Sequence, residues 1–403
     1  MNLIDISQFI REHVVKRRQS MFADDVERSR DRLITEIQGK SVLVVGAAGT
    51  IGKSYTKALL DFEPGKLVVV DTNENGLTEL TRDLRSTADQ FVPKEYISYP
   101  MNFGEAAFKK MFAEHAPFDI IANFAAHKHV RSEKDKYSVE AMLENNVFKA
   151  RDFLDLVIKT PPSHFFCVST DKAANPVNVM GASKKLMEET IMAYSQSIPI
   201  TTARFANVAF SNGSLLDGYV QRLMKNQALS CPSDVRRFFV SPEESGQICL
   251  LACVLGESSE IFFPKLDEEE LISFKQITED FFLAMGREMI VCNSEEEAKQ
   301  LSVNLGSSDP YPVYFFESDT SGEKQFEEFY TECDKVNFAK FSALGVIENA
   351  NKPSLERVQR TIEELRAVMN SDNYDKAAIV AVLEELIPDF GHIETGKNLD
   401  QKM

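Results

Sequence analysis

Residues 41–71 read SVLVVGAAGTIGKSYTKALLDFEPGKLVVVD, and this stretch decides the fold. SVLVVG (41–46) is a short apolar run of the kind a strand buried on both faces requires. GTIGKSYTKALLDF then carries helical spacing, and KLVVVD (66–71) is a second buried strand, so the segment is a βαβ unit. Gly46-x-x-Gly49-x-x-Gly52 falls between the first strand and its helix. In that place the first glycine permits a tight turn, the second lets the backbone approach a pyrophosphate, and the third allows close helix packing, with the helix N-terminus facing negative charge. Asp71 ends the second strand, where its carboxylate can hydrogen-bond the hydroxyls of an adenosine ribose and disfavours a 2'-phosphate. The pattern points to NAD before NADP, with Lys53 and Arg82 the cations that would favour the phosphorylated form.

The alternation continues outward from this unit. A helix over 74–86, a weaker strand near 96–100 and a helix near 104–114 lead to the strand DIIANFAA (119–126). A helix over about 138–158, the strand HFFCVST (164–170), a helix over about 180–195 and the strand ITTARFANV (200–208) follow. Strands alternating with helices predict a doubly wound, parallel α/β (Rossmann) sheet covered on both faces, with its ligand at the carboxyl ends of the strands. After Val208 the rhythm loosens, as expected for a smaller C-terminal substrate-binding domain laid over the crevice. The expected division is an N-terminal extension of two polar helices over 1–38, and a dinucleotide-binding domain over 39–208 to which 235–265 returns. The substrate-binding domain takes 209–234 and 266–340, and two amphipathic helices, LERVQRTIEELRAVM and DKAAIVAVLEELI, lie within 341–403 ahead of a polar tail.

Composition narrows the function. With 403 residues, 43% hydrophobic and 27% charged, the chain is an ordinary globular sequence long enough for two or three units. A net charge of -17 repels nucleic acid and anionic lipid, so neither is an expected partner. The one dense basic triplet, Lys16-Arg17-Arg18, is followed by Asp24, Asp25 and Glu27 and reads as a solvated helix face. No run of about 18 apolar residues occurs, and MNLIDISQFIREHVVKRR has acids and Gln where a signal peptide needs an apolar core, so a cytoplasmic protein without membrane insertion is expected. The six cysteines are scattered and read as reduced thiols, with Cys249 and Cys253 in the apolar QICLLACVL as core residues. No metal site is expected, since His127 and His129 have the wrong spacing for two ligands on one helix face.

Most chemical information lies in VSTDKAANPVNVMGASKK (168–185). Asp171 and Lys172, at the end of a strand on the same sheet edge as the glycine loop, are placed to project into the crevice. An acid and an amine there can divide proton donation and abstraction if burial and neighbours bring their pKa values toward neutrality. The competing account is a surface turn with a solvated ion pair. Asn102, after the third strand, reads equally as an adenine contact or as a loop residue.

Taken in order, Gly46-x-x-Gly49-x-x-Gly52, AAHKHV (125–130), ENNV (144–147), STDKAANPVNVMGASK (169–184), RFANV (204–208), RRFFVSPEES (236–245) and SGEKQFEEFYT (321–331) resemble the extended short-chain dehydrogenases of polysaccharide biosynthesis. The resemblance is strongest to the UDP-N-acetylglucosamine 4,6-dehydratases and runs from about Phe22 to Phe390. It implies an internal redox cycle on a tightly bound NAD that is regenerated each turn. Hydride leaves carbon 4 of the sugar, the ketone acidifies the proton on carbon 5, water departs from carbon 6, and hydride returns there.

Carried over, the resemblance makes Asp171 the acid for the departing hydroxyl and Lys172 the base at carbon 5. Thr170 lies near the carbon 4 hydroxyl, and Lys184 holds the nicotinamide ribose. Gly46, Gly49, Thr50, Ile51, Gly52, Asp71, Asn102 and Ala125 fall at cofactor positions. Lys128, His129, Asn146, Asn207, Arg237 and Glu323 fall at substrate positions, although a buried Asn146 that only bridges backbone is an equally physical account. Two positions depart from the pattern. Met180 stands where a short-chain dehydrogenase carries tyrosine, as in the branch that keeps the configuration at carbon 5, so the tyrosine's task must pass to Thr170, Asp171 or water. Thr320-Ser321-Gly322-Glu323-Lys324 replaces an Arg-Pro-Gly-Glu-Lys, removing one diphosphate contact. Two other readings stay open, a nucleotide-sugar 4-epimerase and a catalytically silent dinucleotide-binding scaffold; Met180 and Asp171-Lys172 speak against the first, and only Met180 favours the second. A homo-oligomer is expected, with residues 1–38 as one candidate contact.

Overall fold

In the computed structural model, which describes residues 4–128, 133–306, 308–318, 327–372 and 374–392, the apolar runs become strands because their β-branched residues pack between two helical layers. The chain opens with α1 (Ile6–Phe9), extended by a π-helical turn to Val14, then α2 (Ala23–Arg28) and α3 (Arg30–Ile37). Six strands follow: β1 (Ser41–Val45), β2 (Lys66–Asp71), β3 (Glu95–Pro100), β4 (Ile120–Asn123), β5 (His164–Val168) and β6 (Ile200–Ala203). Between them run α4 (Thr50–Leu60), α5 (Glu74–Ser86), α6 (Ala106–His115), α7 (Lys136–Leu143), α8 (Lys149–Val157) and α9 (Val179–Ala193). The order β3-β2-β1-β4-β5-β6 is parallel throughout, and it reverses direction at β1, which opens a crevice at the carboxyl ends of β1 and β4.

After β6 come β7 (Asn207–Val208), α10 (Leu215–Met224), β8 (Leu229–Pro232), β9 (Arg236–Arg237), β10 (Phe239–Val240), α11 (Pro242–Leu255) and β11 (Ile261–Pro264). Then follow β12 (Ile272–Ser273), α12 (Phe274–Ala284), β13 (Met289–Cys292), α13 (Glu295–Ser302), β14 (Tyr311–Phe316), β15 (Val336–Asn337), β16 (Leu344–Ile347), α14 (Leu355–Met369) and α15 (Lys376–Leu386). β11 joins the main sheet parallel to β6, and β16 and β15 add an antiparallel edge, giving nine strands. The sheet is therefore mostly parallel and doubly wound, as the sequence predicts. β13, β14 and β8 form a separate parallel sheet that packs with α10 and α12 around Tyr219, Phe281 and Tyr311.

Several elements differ from expectation for local physical reasons. The strand over 119–126 stops at Asn123, whose Oδ1 accepts the Ala125 N–H at 3.0 Å and turns the chain. The strand over 200–208 breaks after Ala203, where Arg204 sends its side chain inward, and β7 then pairs with β10 in another sheet. The helix over 138–158 is one helical run interrupted by a π-helical turn, Glu144–Phe148, at the ENNV motif. The N-terminal residues are not a polar appendage. Phe9, Ile10 and Val14 pack with Tyr219 and Phe281, while Phe22, Leu33 and Ile37 join Val42 and Leu59 beneath the main sheet. Arg17 is not solvated; its Nε bonds the buried Glu244 at 2.9 Å and its Nη1 reaches Glu270 at 2.5 Å. The apolar residues of α1 to α3 are thus used within the chain. α14 and α15 likewise cover α7 and α9, with Ile362, Leu365 and Leu383 against Val179, Met180 and Ala182. Cys249 and Cys253 are buried beside Tyr55. Among the described residues no helix is long and apolar enough to cross a membrane, and no cluster of His, Cys, Asp and Glu could hold a metal ion.

Candidate active site

The glycine loop is built by close approach. Gly46 has φ +79°, and a Cβ on it would lie 2.5 Å from the Ala125 nitrogen, so the chain leaving β4 presses directly on the turn. A Cβ on Gly52 would lie 2.2 Å from the Gly46 oxygen, which fixes how tightly α4 sits on the loop. Gly49 differs: the one atom its Cβ would meet within 4 Å is the Gly46 oxygen, at 3.5 Å. It is also the N-cap of α4 with no side chain capping the helix, so the first-turn N–H groups keep their capacity for an anion. Asp71 accepts the Ala48 N–H on one oxygen and the Asn73 N–H on the other, both at 2.9 Å, and each oxygen has a further lone pair for a ribose hydroxyl. This cradle fits the pyrophosphate and ribose of a dinucleotide. Thr50 accepts the Asn212 N–H at 2.9 Å, tying the cradle to the chain after β7. Asn102 accepts the Gly104 N–H at 2.9 Å and so closes its own loop, and it is not in the cavity wall.

From the cradle a cavity of about 870 Å³ extends across the carboxyl ends of β5 and β6, roofed by α10 and Phe316. Of the expected residues, Ile51, Lys128, Thr170, Asp171, Lys172, Met180, Lys184, Asn207 and Arg237 all line it. Thr170 Oγ1 donates to Asp171 Oδ1 at 2.6 Å, and Lys172 Nζ lies 3.1 and 3.3 Å from the two Asp171 oxygens. The pair is no solvated surface turn: Asp171 is 5% exposed and sits in the first turn of a short 3-10 helix that ends β5's loop. Met180, 2% exposed, offers the cavity a thioether that holds no proton to exchange.

Lys184 reaches the site from inside α9. Its Nζ donates to the Val168 carbonyl at 2.9 Å, and burial lowers its pKa, against the pull of Cys167 and Glu188. Behind it, Glu188 takes Ser169 Oγ at 2.6 Å and the Arg204 guanidinium at 2.7 and 2.9 Å. Burial pushes the Glu188 carboxyl up, but Arg204 outweighs it and the net shift is downward. Lys128 is open to the cavity, yet the surrounding protein desolvates its ammonium and lowers its pKa, with Asp217 opposing. Asn146 is buried in the π-helical turn. It accepts the His127 N–H at 2.8 Å, donates to the His127 carbonyl at 3.0 Å and reaches Ser183 Oγ at 3.0 Å, so it braces the Lys128 segment against α9 and is not in the cavity wall. His129 and Glu323 lie outside the described residues.

One cavity residue escapes the motif reading. Glu327 has a nearly sealed side chain, bonded by Asn207 Nδ2 at 2.6 Å and the Phe238 N–H at 3.3 Å, with Arg237 Nε 3.4 Å away. The sequence signal was its place in the quoted motif SGEKQFEEFYT, as part of the acidic pair Glu327-Glu328 between Phe326 and Phe329.

The chain is similar to known proteins along most of its length. It is 29% identical over 251 residues to the capsular polysaccharide biosynthesis protein CapD of Staphylococcus aureus, matching 59% of this chain and 40% of that one, so it spans well under half of that relative. It is 24% identical over 294 residues to a UDP-N-acetylglucosamine 4,6-dehydratase (inverting) of Campylobacter jejuni, matching 70% of this chain and 81% of that one. Two solved structures share the fold: Pen from Bacillus thuringiensis, with TM-score 0.61, 20% identity and coverage of 81% of this chain and 98% of that one, and the UDP-Glc/GlcNAc 4-epimerase of Campylobacter jejuni, with TM-score 0.54, 16% identity and coverage of 86% and 100%. A family model described as polysaccharide biosynthesis protein matches residues 42–348, spanning the glycine loop, the Asp171–Lys184 segment and Glu327, and the chain belongs to that family.

Proposed function

We propose that the chain is a nucleotide-sugar 4,6-dehydratase that converts UDP-N-acetylglucosamine to the UDP-linked 4-keto-6-deoxy sugar with a held NAD. One observation carries this reading: the bonded run Thr170–Asp171–Lys172 lines the cavity at the place where Met180 supplies no hydroxyl. Because Thr170 donates to Asp171, its oxygen is free to receive the carbon 4 hydroxyl proton while its own proton passes to the carboxylate. Asp171 then delivers that proton to the hydroxyl leaving carbon 6, which departs as water. Lys172 takes the carbon 5 proton on its Nζ lone pair and returns it to the same face, which retains the configuration there. Bound NAD supplies the hydride acceptor at carbon 4 and the hydride donor at carbon 6. Protons and hydride balance within one turnover, so no outside oxidant is consumed.

Lys184 holds the nicotinamide ribose from its buried seat, and Lys128 and Arg237 supply positive charge to the diphosphate in a chain that is otherwise strongly acidic. A 4-epimerase needs a strong base at the position of Met180, so the same geometry disfavours that reading. Incubating the protein with UDP-N-acetylglucosamine and no added cofactor should yield the keto sugar by NMR; substrate left intact, with this and each other common sugar nucleotide, would sink the reading.

A further inference from the structure

Glu327 has no part in the proton transfers above, although it lines the cavity and its side chain is only 2% exposed. Its partners come from separate strands. Oε1 accepts Asn207 Nδ2 of β7 at 2.6 Å and lies 3.4 Å from Arg237 Nε of β9, so one oxygen ties the two residues together. Oε2 accepts the Phe238 N–H at 3.3 Å, and Arg237 is held at a second point, where its Nη1 donates to the Arg236 carbonyl at 2.8 Å. Asn207 and Arg237 both line the cavity. Among the described residues Asn207 Oδ1 takes no hydrogen bond.

A carboxylate offers acceptors only, so it binds the NH2 end of the amide and decides which way round Asn207 stands. The end left for a ligand is the carbonyl oxygen, an acceptor. Beside it, tied to the same Glu327 oxygen, is a guanidinium. The two together suit a hydrogen-bond donor that adjoins an anion. In a sugar nucleotide the diphosphate is joined to carbon 1, which is flanked by the ring oxygen and by carbon 2. The ring oxygen cannot donate, whereas a hydroxyl or an acetamido N–H on carbon 2 can.

Resting on the dehydratase reading for its ligand class, a sugar nucleotide, we propose that Glu327 is a positioning residue that presents the Asn207 carbonyl to the substituent on carbon 2 while Arg237 meets the adjoining phosphate, so that the site selects sugars with a donor at carbon 2. Without the carboxylate the Asn207 amide is free to turn its NH2 end to the neighbouring phosphate oxygen, and the choice at carbon 2 is lost.

The test compares binding of UDP-N-acetylglucosamine with that of the analogue in which a 2-O-acetyl ester puts an oxygen in place of the acetamido N–H. Calorimetric titrations use the full chain with Lys172→Ala as the common background, so that the bound sugar is not dehydrated, and that protein with Glu327→Met or Glu327→Gln added. The background protein should prefer the N–H ligand by about 10-fold, the worth of one hydrogen bond. Glu327→Met fills the same volume without an acceptor and should bring the two affinities within about twofold of each other. Glu327→Gln keeps a carbonyl oxygen for the Asn207 amide and should restore most of the preference, which a merely structural role would not do. An absent preference in the background protein, or one that Glu327→Met leaves unchanged, overturns the proposal. Should Glu327→Met fail to fold, Asn207→Leu reads the same contact: it removes Oδ1 and should abolish the preference, and a preference retained there overturns the proposal equally. Because binding is read without turnover, the two ideas fail separately. The preference found in a chain that converts no sugar nucleotide sustains the role of Glu327 and counts against the dehydratase reading, whereas keto sugar formed by a chain without the preference does the reverse.

Discussion

Glu188 and Arg204 form an ion pair at 2.7 Å with side chains only 3% and 2% exposed, directly behind the strand end that carries Ser169. The guanidinium also donates to the Phe329 carbonyl at 3.0 Å, so the pair links α9, β6 and the chain that follows Glu327. Removing one partner leaves an uncompensated buried charge, which costs about 3–5 kcal/mol. Arg204→Met should therefore lower Tm strongly, and more than Glu188→Gln, which leaves a neutral acceptor for Ser169. The pH dependence follows from the depressed Glu188 pKa. A carboxyl lowered in the folded state contributes stability that is present above its unfolded value and is lost as pH falls through the folded one. Denaturant melts between neutral pH and the acid range should show this loss in the parent and a flatter acid limb in Glu188→Gln.

Asp171→Asn and Lys172→Ala test the chemistry without touching the cofactor cradle. Neither residue contacts the glycine loop, so both variants should release the same dinucleotide on denaturation as the parent, identified by mass spectrometry. On the proposed mechanism each removes a proton-transfer group, so turnover should fall by about 100-fold or more in each. Asp171→Asn should in addition block the path from Thr170, because an amide cannot take up the hydroxyl's proton. Equal turnover in parent and double variant would point to a scaffold.

The sheet and the glycine cradle were legible because they rest on local patterns: apolar runs of fixed length, glycines between a strand and a helix, an acid at the next strand end. The same holds for Thr170 to Lys184, which one strand, one turn and one helix present together. What was not legible depends on partners far away in sequence. Arg17 reads as a solvated cation until Glu244 and Glu270, more than 220 residues on, take it up. The strand over 200–208 reads as continuous because nothing local says that Arg204 must turn inward to Glu188. Glu327 lies unremarked inside SGEKQFEEFYT, since only the approach of Asn207 and Arg237 brings its carboxylate to the cavity.

Met180 is a sharp test of which groups move protons. Met180→Leu conserves volume in the cluster with Val179, Leu186 and Ile362 and should cost less than about 1.5 kcal/mol. If the thioether only fills space, kcat for this variant stays within about threefold of the parent, a change too small for a lost acid or base. A loss of 100-fold with an unchanged Tm would assign Met180 a role that Thr170 and Asp171 do not cover.

The glycine loop separates folding from cofactor binding residue by residue. In Gly46→Ala the new methyl meets the Ala125 nitrogen at 2.5 Å on a backbone at φ +79°, so both strain and clash act on the fold, and a cost of at least about 1–3 kcal/mol is expected. Gly52→Ala drives a methyl to 2.2 Å from the Gly46 oxygen and should behave alike. Gly49→Ala meets nothing nearer than 3.5 Å, at an ordinary φ of -70°. Its methyl would instead occupy the side from which a pyrophosphate approaches the uncapped start of α4. Gly49→Ala should therefore melt within a degree or two of the parent, as expected for a change well under about 1 kcal/mol, yet lose its copurifying dinucleotide. Retention of the dinucleotide by Gly49→Ala would show that the phosphates lie elsewhere, whereas its loss only from Gly46→Ala and Gly52→Ala would reduce the motif to turn geometry.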